Sequence, residues 1–304
     1  MPSNQSPLGA LPSRFKRERL LIIGCGDVGQ RVARLQGHVR VVALTSSPAR
    51  VAALRAQGVM PVVGNLDHPA SFLRLAGWAT RVLHLAPPPL QGNTDPRTLA
   101  LTRLLMHRSA PRSVVYGSTS GVYGDCAGAW VAESRGVNPS TPRAHRRVNA
   151  EERVRHLGRL RSGTTRVSVL RIPGIYAPDR EGGTPRERLL RGTPVLAPED
   201  DVFTNHIHAD DLARACQLAL WRGKPQRSYN VNDDTQLRMG DYFDQAASVL
   251  GLPKPARISR AQAQTELPAM QLSFMSESRR MVNTRMKREL RLQLRYAHIK
   301  NGLA

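Results

Sequence analysis

The sequence predicts an α/β fold, a doubly wound parallel sheet with a small C-terminal lid. Three observations predict it. A glycine-rich turn separates an apolar run from a helical pattern near the N-terminus. Strand and helix patterns then alternate as far as about residue 172. Beyond Arg171 the pattern loosens, and Pro and Gly concentrate at 173–198. Alternation at this spacing makes the strands parallel and puts helices on both faces of the sheet.

Leu20–Ile23 is a short apolar run and reads as a buried strand. Gly24, Gly26 and Gly29 follow at G-x-G-x-x-G spacing, and Val28, Val32 and Leu35 recur at helical intervals. Strand, glycine turn and helix in that order form a Rossmann-type dinucleotide-binding unit. Gly24 permits the tight turn, Gly26 lets the backbone approach a pyrophosphate, and Gly29 lets the helix pack close to the strand. Asp27 and Val28 open the helix, whose free N–H groups and positive dipole end face the phosphates.

Val39–Leu44 is the second strand, and Pro48–Gln57 a helix stopped by Gly58. Val59–Val63 is the third strand, ending in Gly64-Asn-Leu-Asp67. Arg81–Ala86 is the fourth, stopped by Pro87-Pro88-Pro89, with Leu85 and Ala86 at its carboxyl end against the cofactor. Thr94–His107 is helical, Arg112–Tyr116 is the fifth strand, residues 142–160 form a long basic helix, and Thr165–Leu170 is the sixth strand. Phe203–His208 and Tyr229–Val231 are shorter strands on either side of a helix capped by Asp210 or Asp211 and running to about Trp221. The helix Gly240–Leu250 falls in the lid. The chain therefore divides into a disordered basic tail at 1–18, a dinucleotide-binding domain at 19–172 completed by about 203–232, and a substrate-binding lid from 173–202 and 233–304.

At 304 residues and 40% hydrophobic content the chain can bury one large core. No apolar run approaches the ~20 residues needed to span a bilayer, and the first 18 residues lack the apolar core of a secretory signal. Cys25, Cys126 and Cys216 are odd in number and far apart, which fits the reducing cytoplasm rather than a disulfide framework. The net charge of +22 comes almost wholly from arginine, since the only lysines are Lys16, Lys224, Lys254, Lys287 and Lys300. The arginines are spread along the chain, aromatics are 5%, and no nucleic-acid-binding motif occurs. The expected partner is a small molecule, with no membrane, no specific nucleic acid and only salt-sensitive sticking to polyanions.

In dinucleotide-binding units an acid at the end of the second strand holds the ribose 2′-OH, whereas an Arg there accommodates a 2′-phosphate. Here that end carries Thr45, Ser46 and Ser47, with Arg50 one turn on, Arg31 on the first helix, and no carboxylate. Hydroxyls and a guanidinium favour NADP, with NAD as the alternative. Ser46 or Ser47 would equally cap the following helix. Asp67 is placed either to meet the adenine amine or to cap the next helix.

With the glycine turn, Asn65-Leu66-Asp67, and Val114-Val-Tyr-Gly-Ser-Thr-Ser-Gly-Val-Tyr-Gly124, the chain resembles the short-chain dehydrogenase/reductase superfamily. It looks most like the extended, NAD-dependent epimerase/dehydratase-like branch. Leu170-Arg-Ile-Pro-Gly-Ile-Tyr-Ala-Pro178 is similar to that branch's substrate-domain entrance, and Asn205-His-Ile-His-Ala-Asp-Asp-Leu-Ala213 to its strand-to-helix junction. The resemblance covers roughly residues 19–300.

The resemblance implies a Ser or Thr after the fifth strand that polarises a substrate hydroxyl or carbonyl. It also implies a Tyr-x-x-x-Lys pair on the next helix, in which the Tyr is the general acid/base. Alignment on Gly121-Val-Tyr-Gly124 places Thr119 at the first position, with Ser118 beside it as the alternative; either would also serve to cap the turn. Registering the helix on Ala150-Glu151 puts the Lys on Arg147 and the Tyr on Arg143, and no lysine lies between Lys16 and Lys224. Arg147 can still supply a positive charge and bind the nicotinamide ribose. Arg143 cannot replace a phenol, because a guanidinium stays protonated. The chain is thus identified as an atypical member that keeps the cofactor fold and has lost the dyad.

Tyr123, which reads equally as a packing aromatic, and His145 are the remaining acid/base candidates. The string Tyr296–Lys300 lies far from the expected helix and reads as chance. His84 is expected to line the cofactor or the core. His206, His208 and Asp210 share one strand face, but the resemblance makes them junction residues, so no metal is expected. The expected function is an NAD(P)-binding oxidoreductase or epimerase-like protein acting on a carbonyl or hydroxyl of a small, anionic or nucleotide-linked substrate. The alternative is a non-catalytic NADP-binding sensor or regulatory protein. A homodimer through the helix at 142–160 is implied by the resemblance alone.

Overall fold

Seven strands, all paired in parallel, make the central sheet of the computed structural model, which describes residues 18–160 and 164–303. The basic tail predicted at the N-terminus lies outside the described residues up to position 17. Glu18 belongs to the fold: its carboxylate accepts from the Thr80 hydroxyl at 2.5 Å and pairs with Arg81 and Arg112.

The strands are β1 (Arg19–Ile23), β2 (Arg40–Thr45), β3 (Met60–Val63), β4 (Arg81–His84), β5 (Ser113–Thr119), Arg166–Ile172 and Arg227–Asn230. Across the sheet they run Arg227–Asn230, Arg166–Ile172, β5, β4, β1, β2, β3. From β1 the chain builds outward one way through β2 and β3, then returns to build the other way from β4. A crevice opens at the carboxyl ends where the order reverses, between β1 and β4.

Four helices pack against this sheet from the first half of the chain: α1 (Asp27–Arg34), α2 (Val51–Ala56), α3 (Pro96–Met106) and α4 (Pro142–Leu160). Successive residues of β1 serve opposite faces, as the strand period of two requires. Leu20 and Ile22 join a cluster with Val32 of α1, Leu54 of α2 and Leu212 of the helix Ala209–Arg222. Leu21 and Ile23 join a second with Leu101 of α3 and Val154 of α4. Burial on both faces explains why β1 reads as an unbroken apolar run. α3 begins at Asp95, whose carboxylate accepts from Thr98 N, with Pro96 at the first helical position.

Several elements differ from the sequence prediction. β5 continues past Tyr116 because Gly117, Ser118 and Thr119 pair with Leu170, Arg171 and Ile172. A central strand recruits polar residues when its neighbour supplies hydrogen bonds. Phe203–His208 is split. Phe203–Thr204 pairs with Leu237–Arg238, and His206–His208 with Gly174–Tyr176. The helix after it is capped by neither predicted aspartate. His208 Nδ1 accepts from Asp210 N at 3.2 Å, while Asp210 turns to Arg31 and Asp211 accepts from Arg295 N and Tyr296 N. The strand predicted at Tyr229–Val231 is Arg227–Asn230 and joins the main sheet at its edge.

Residues from 174–202 and 237–303 share a further apolar cluster that includes Tyr176, Val195, Phe243, Met275 and Ile299. A two-residue ladder, Val195–Leu196 with Arg257–Ile258, runs through it, and a second, Trp130–Val131 with Arg280–Met281, lies outside it. No helix among the described residues is long and apolar enough to cross a membrane.

Asp233, beside this cluster, is almost wholly buried. Its Oδ1 accepts from Thr235 N, and its Oδ2 has no partner. Burial pushes its carboxyl up to about 8. Between the ordinary carboxylate range and about 8 the folded state therefore holds a proton that the unfolded chain has released. Stability from this group is full in acid and falls as pH rises through that window. Asp233→Asn, which keeps the acceptor for Thr235, is expected to flatten the fall of the melting temperature from pH 5 to pH 9. An unchanged slope would show that other groups carry it.

Candidate functional site

A cavity of about 260 Å³ lies at the carboxyl ends of β1 and β5. Gly24, Gly26, Asp27, Val28 and Gly29 form one wall, and Leu85 lies beside them. Gly117, Ser118, Thr119, Arg143 and Arg147 form the opposite wall, with Pro173 and Ile175 at the mouth.

The glycine turn shows why its residue types are needed. Gly24 has φ +84°, and a Cβ there would stand 2.4 Å from Ala86 N. The N–H groups of Leu85 and Ala86 both donate to Ile23 O, at 2.7 and 3.0 Å, so β4 presses its end onto the turn. A Cβ on Gly29 would stand 3.1 Å from Gly24 O. Gly26 is different: a Cβ there would meet nothing within 4 Å, because the cavity begins there. Gly26 is also the N-cap of α1 and makes no side-chain cap, so α1 presents its first N–H groups to the space above. These features fit a dinucleotide pyrophosphate.

Arg31 is not available to a 2′-phosphate. It is buried and donates to Asp27 at 2.9 Å, Asp179 at 2.7 Å and Asp210 at 2.5 Å. Arg50 reaches the glycine turn from the β2 side, donating to Cys25 O at 2.6 Å. Ser47 flanks the short 3-10 helix Pro48–Arg50 without a side-chain cap, and Ser46 is exposed beside it. Neither makes the cap considered from the sequence. Asp67 caps no helix; it pairs with Arg97 through both oxygens at 2.7 and 2.6 Å, which holds its carboxyl below the ordinary range.

Thr119 lines the cavity, and its hydroxyl also accepts from Gly121 N at 3.3 Å. Ser118 lines it too, but its hydroxyl donates to Glu151 at 2.7 Å. Glu151 accepts from Arg171 at 3.2 and 2.9 Å, and the Arg171 guanidinium lies 4.7 Å over the Tyr123 ring. Tyr123 therefore does not stand at the cleft as expected. The 3-10 helix Ser120–Tyr123 turns it inward, where it is buried and donates to Asn230 Oδ1 at 2.7 Å. Burial also raises its phenol, which makes it a poor base.

Arg143 and Arg147 both face the cavity from α4. Arg147 donates to Tyr116 OH at 3.1 Å and Gly117 O at 2.8 Å. His145 is on the exposed face of α4 and does not line the cleft. His84 lies in the core, bonded to Thr98 Oγ1 at 2.8 Å, and burial with Arg147 nearby pushes it down to about 3. His206 stacks on Tyr242 and His208 on Tyr296, at 4.2 and 3.7 Å between ring centres. With Asp210 held by Arg31, these residues do not gather around a metal position.

Arg180 was not anticipated. It reaches the cleft from the loop after Pro178, where its buried Nη1 makes no hydrogen bond but pairs with Asp27 Oδ2 at 3.7 Å. Its one sequence signal is the Asp179-Arg180 pair following Leu170–Pro178, and only the fold brings it to the glycine turn. The cleft thus offers hydroxyls, guanidiniums and the Asp27 carboxylate. Among the described residues no His, Cys, Tyr or Glu lines it.

The family model described as the NAD dependent epimerase/dehydratase family matches residues 21–232. A functionally unknown conserved protein from Silicibacter pomeroyi is 30% identical, with a TM-score of 0.78 over 94% of this chain and 96% of that one. MoeE5 in complex with UDP-glucose and NAD is 20% identical, with a TM-score of 0.74 over 94% and 96%. The UDP-glucose 4-epimerase of Thermotoga maritima with UDP-glucose is 16% identical, with a TM-score of 0.75 over the same shares. The last two share the fold. No curated protein matches the chain.

Proposed function

This chain belongs to the NAD dependent epimerase/dehydratase family, and from that premise we propose that it is an NADP-binding oxidoreductase or epimerase acting on a carbonyl or hydroxyl of a small substrate. One observation carries the proposal: the open space over Gly26 and the uncapped start of α1 runs without interruption to Thr119. A bound dinucleotide supplies hydride exchange at its nicotinamide ring. The residues of the chain do the rest. Gly24, Gly26, Asp27, Val28 and Gly29, with Leu85 and Ala86 behind them, seat the pyrophosphate at the α1 N-terminus, and Arg180, whose Nη1 pairs with Asp27 without a hydrogen bond, adds a donor there. Arg147 holds the nicotinamide ribose. Thr119 polarises the substrate oxygen, with Ser118 fixing the end of β5. Among the described residues no His, Cys, Tyr or Glu lines the cleft, so the substrate proton is assigned to solvent. The lid, from 173–202 and 233–304, covers the substrate.

We assign the 2′-phosphate to Ser46, Ser47 and Arg50, because no carboxylate stands at the end of β2 to repel it. Asp67 stays with Arg97 and takes no part. Calorimetric titration with NADPH, NADP, NADH and NAD tests this directly. Arg50→Ala is expected to weaken NADP(H) by about tenfold or more, the worth of a charge-assisted hydrogen bond, and to leave NAD(H) nearly unchanged. Equal losses would remove the 2′-phosphate assignment and leave NAD as the cofactor.

A second reading, a non-catalytic NADP sensor, is favoured by the same lack of a His, Cys, Tyr or Glu among the described residues of the cleft. Turnover of any carbonyl substrate that is lost in Thr119→Ala excludes it. Three buried free cysteines suit a cytoplasmic protein.

A further inference from the structure

Arg143 and Arg147 stand one helical turn apart on α4 and both line the cleft. Their charges are unmatched. Arg147 spends its Nη1 on the Tyr116 hydroxyl and the Gly117 carbonyl, both neutral, and its Nε is buried without a partner. Arg143 makes no side-chain hydrogen bond or ion pair among the described residues. Arg146, on the same turn, is answered only by the Gly92 carbonyl.

No carboxylate is free to compensate them. Glu151, further along α4, is buried and taken by Arg171 and Ser118. Among the described residues Asp27 is the one acid lining the cavity, and it is taken by Arg31 and Arg180. Like charges one turn apart repel, and Arg143 is exposed, so nothing in the packing of α4 calls for an arginine there. In the reading given above, the phosphates of a dinucleotide already have their own donors, namely the start of α1, Arg180, and Arg50 outside the cavity lining.

We propose that Arg143, with the charge of Arg147 one turn on, forms an anion subsite, so that the substrate carries a carboxylate or phosphate beside the carbon presented to Thr119. This rests on the functional reading given above and names the substrate class for it. A guanidinium offers planar paired donors that match two oxygens of such a group. Thr119 faces the same space and is left to contact the neighbouring hydroxyl or carbonyl oxygen.

The test is calorimetric titration with three probes, oxalate, inorganic phosphate and UDP, with and without saturating NADPH. Wild type, Arg143→Met and Arg143→Lys are compared. At least one probe is expected to bind the NADPH-loaded protein. Arg143→Met should weaken it about tenfold or more, and Arg143→Lys by less, since an ammonium keeps the charge without the fork. NADPH affinity should hold in both variants, and thermal melting checks their folding. Oxalate alone would indicate a carboxylate substrate; phosphate or UDP would indicate a phosphorylated or nucleotide-linked one. Binding of no probe, equal binding to Arg143→Met, or competition with NADPH would each overturn the subsite. If NADPH fails to bind wild type, the cofactor reading falls, and the titrations without NADPH still decide the subsite.

Discussion

Gly26→Asp is expected to fold like the native chain and to lose dinucleotide binding by about a hundredfold or more, since a like charge in a binding site costs several kcal/mol. The first half follows from space: a Cβ at Gly26 meets nothing within 4 Å. The second half follows from what that space is for. A carboxylate there would occupy the room above the uncapped start of α1 and cancel its positive end toward a pyrophosphate. Gly24→Ala is the control with the opposite outcome. Its φ of +84° disfavours any side chain, and its Cβ would stand 2.4 Å from the backbone of Ala86, so it should lower the melting temperature before binding is reached. Native NADPH affinity in Gly26→Asp would sink the pyrophosphate assignment. Native melting in Gly24→Ala would mean that β4 does not press on the turn.

These glycines were legible in the sequence because their signal is local. A strand, a spaced turn and a helix carry their own geometry, and so does the i,i+4 pairing of Arg143 with Arg147. The doubly wound order was legible for the same reason, through alternation. What stayed hidden depends on residues distant in the chain. Arg31 looked free because only Asp27 is its helical neighbour, while Asp179 and Asp210 arrive from segments about 150 and 180 positions later. Arg180 enters the cleft by the same long return. Tyr123 follows a glycine that opens a single 3-10 turn, and the string Ser-Gly-Val-Tyr does not say whether the phenol faces the cleft or Asn230. His208 as a cap escaped because aspartates beside it are the commoner capping type, and both were already engaged.

The buried pair Glu151–Arg171 sets the second large effect. Both side chains are about 5% exposed, at 2.9 Å. Glu151→Leu leaves the Arg171 guanidinium buried with Tyr123 as its only close aromatic neighbour, and removing one partner of such a pair costs about 3–5 kcal/mol. The ring face of Tyr123 returns only a small part of that. Glu151→Leu with Arg171→Met should recover most of the loss, because the double variant no longer buries a charge. Chemical denaturation of the single and double variants measures both. Additive losses would show that the two residues act separately. The pair also reaches the cleft. Glu151 accepts from Ser118, so it anchors the end of β5 one residue before Thr119. A double variant that recovers stability and still binds NADPH, yet loses turnover, would separate holding the end of β5 from the role proposed for Thr119.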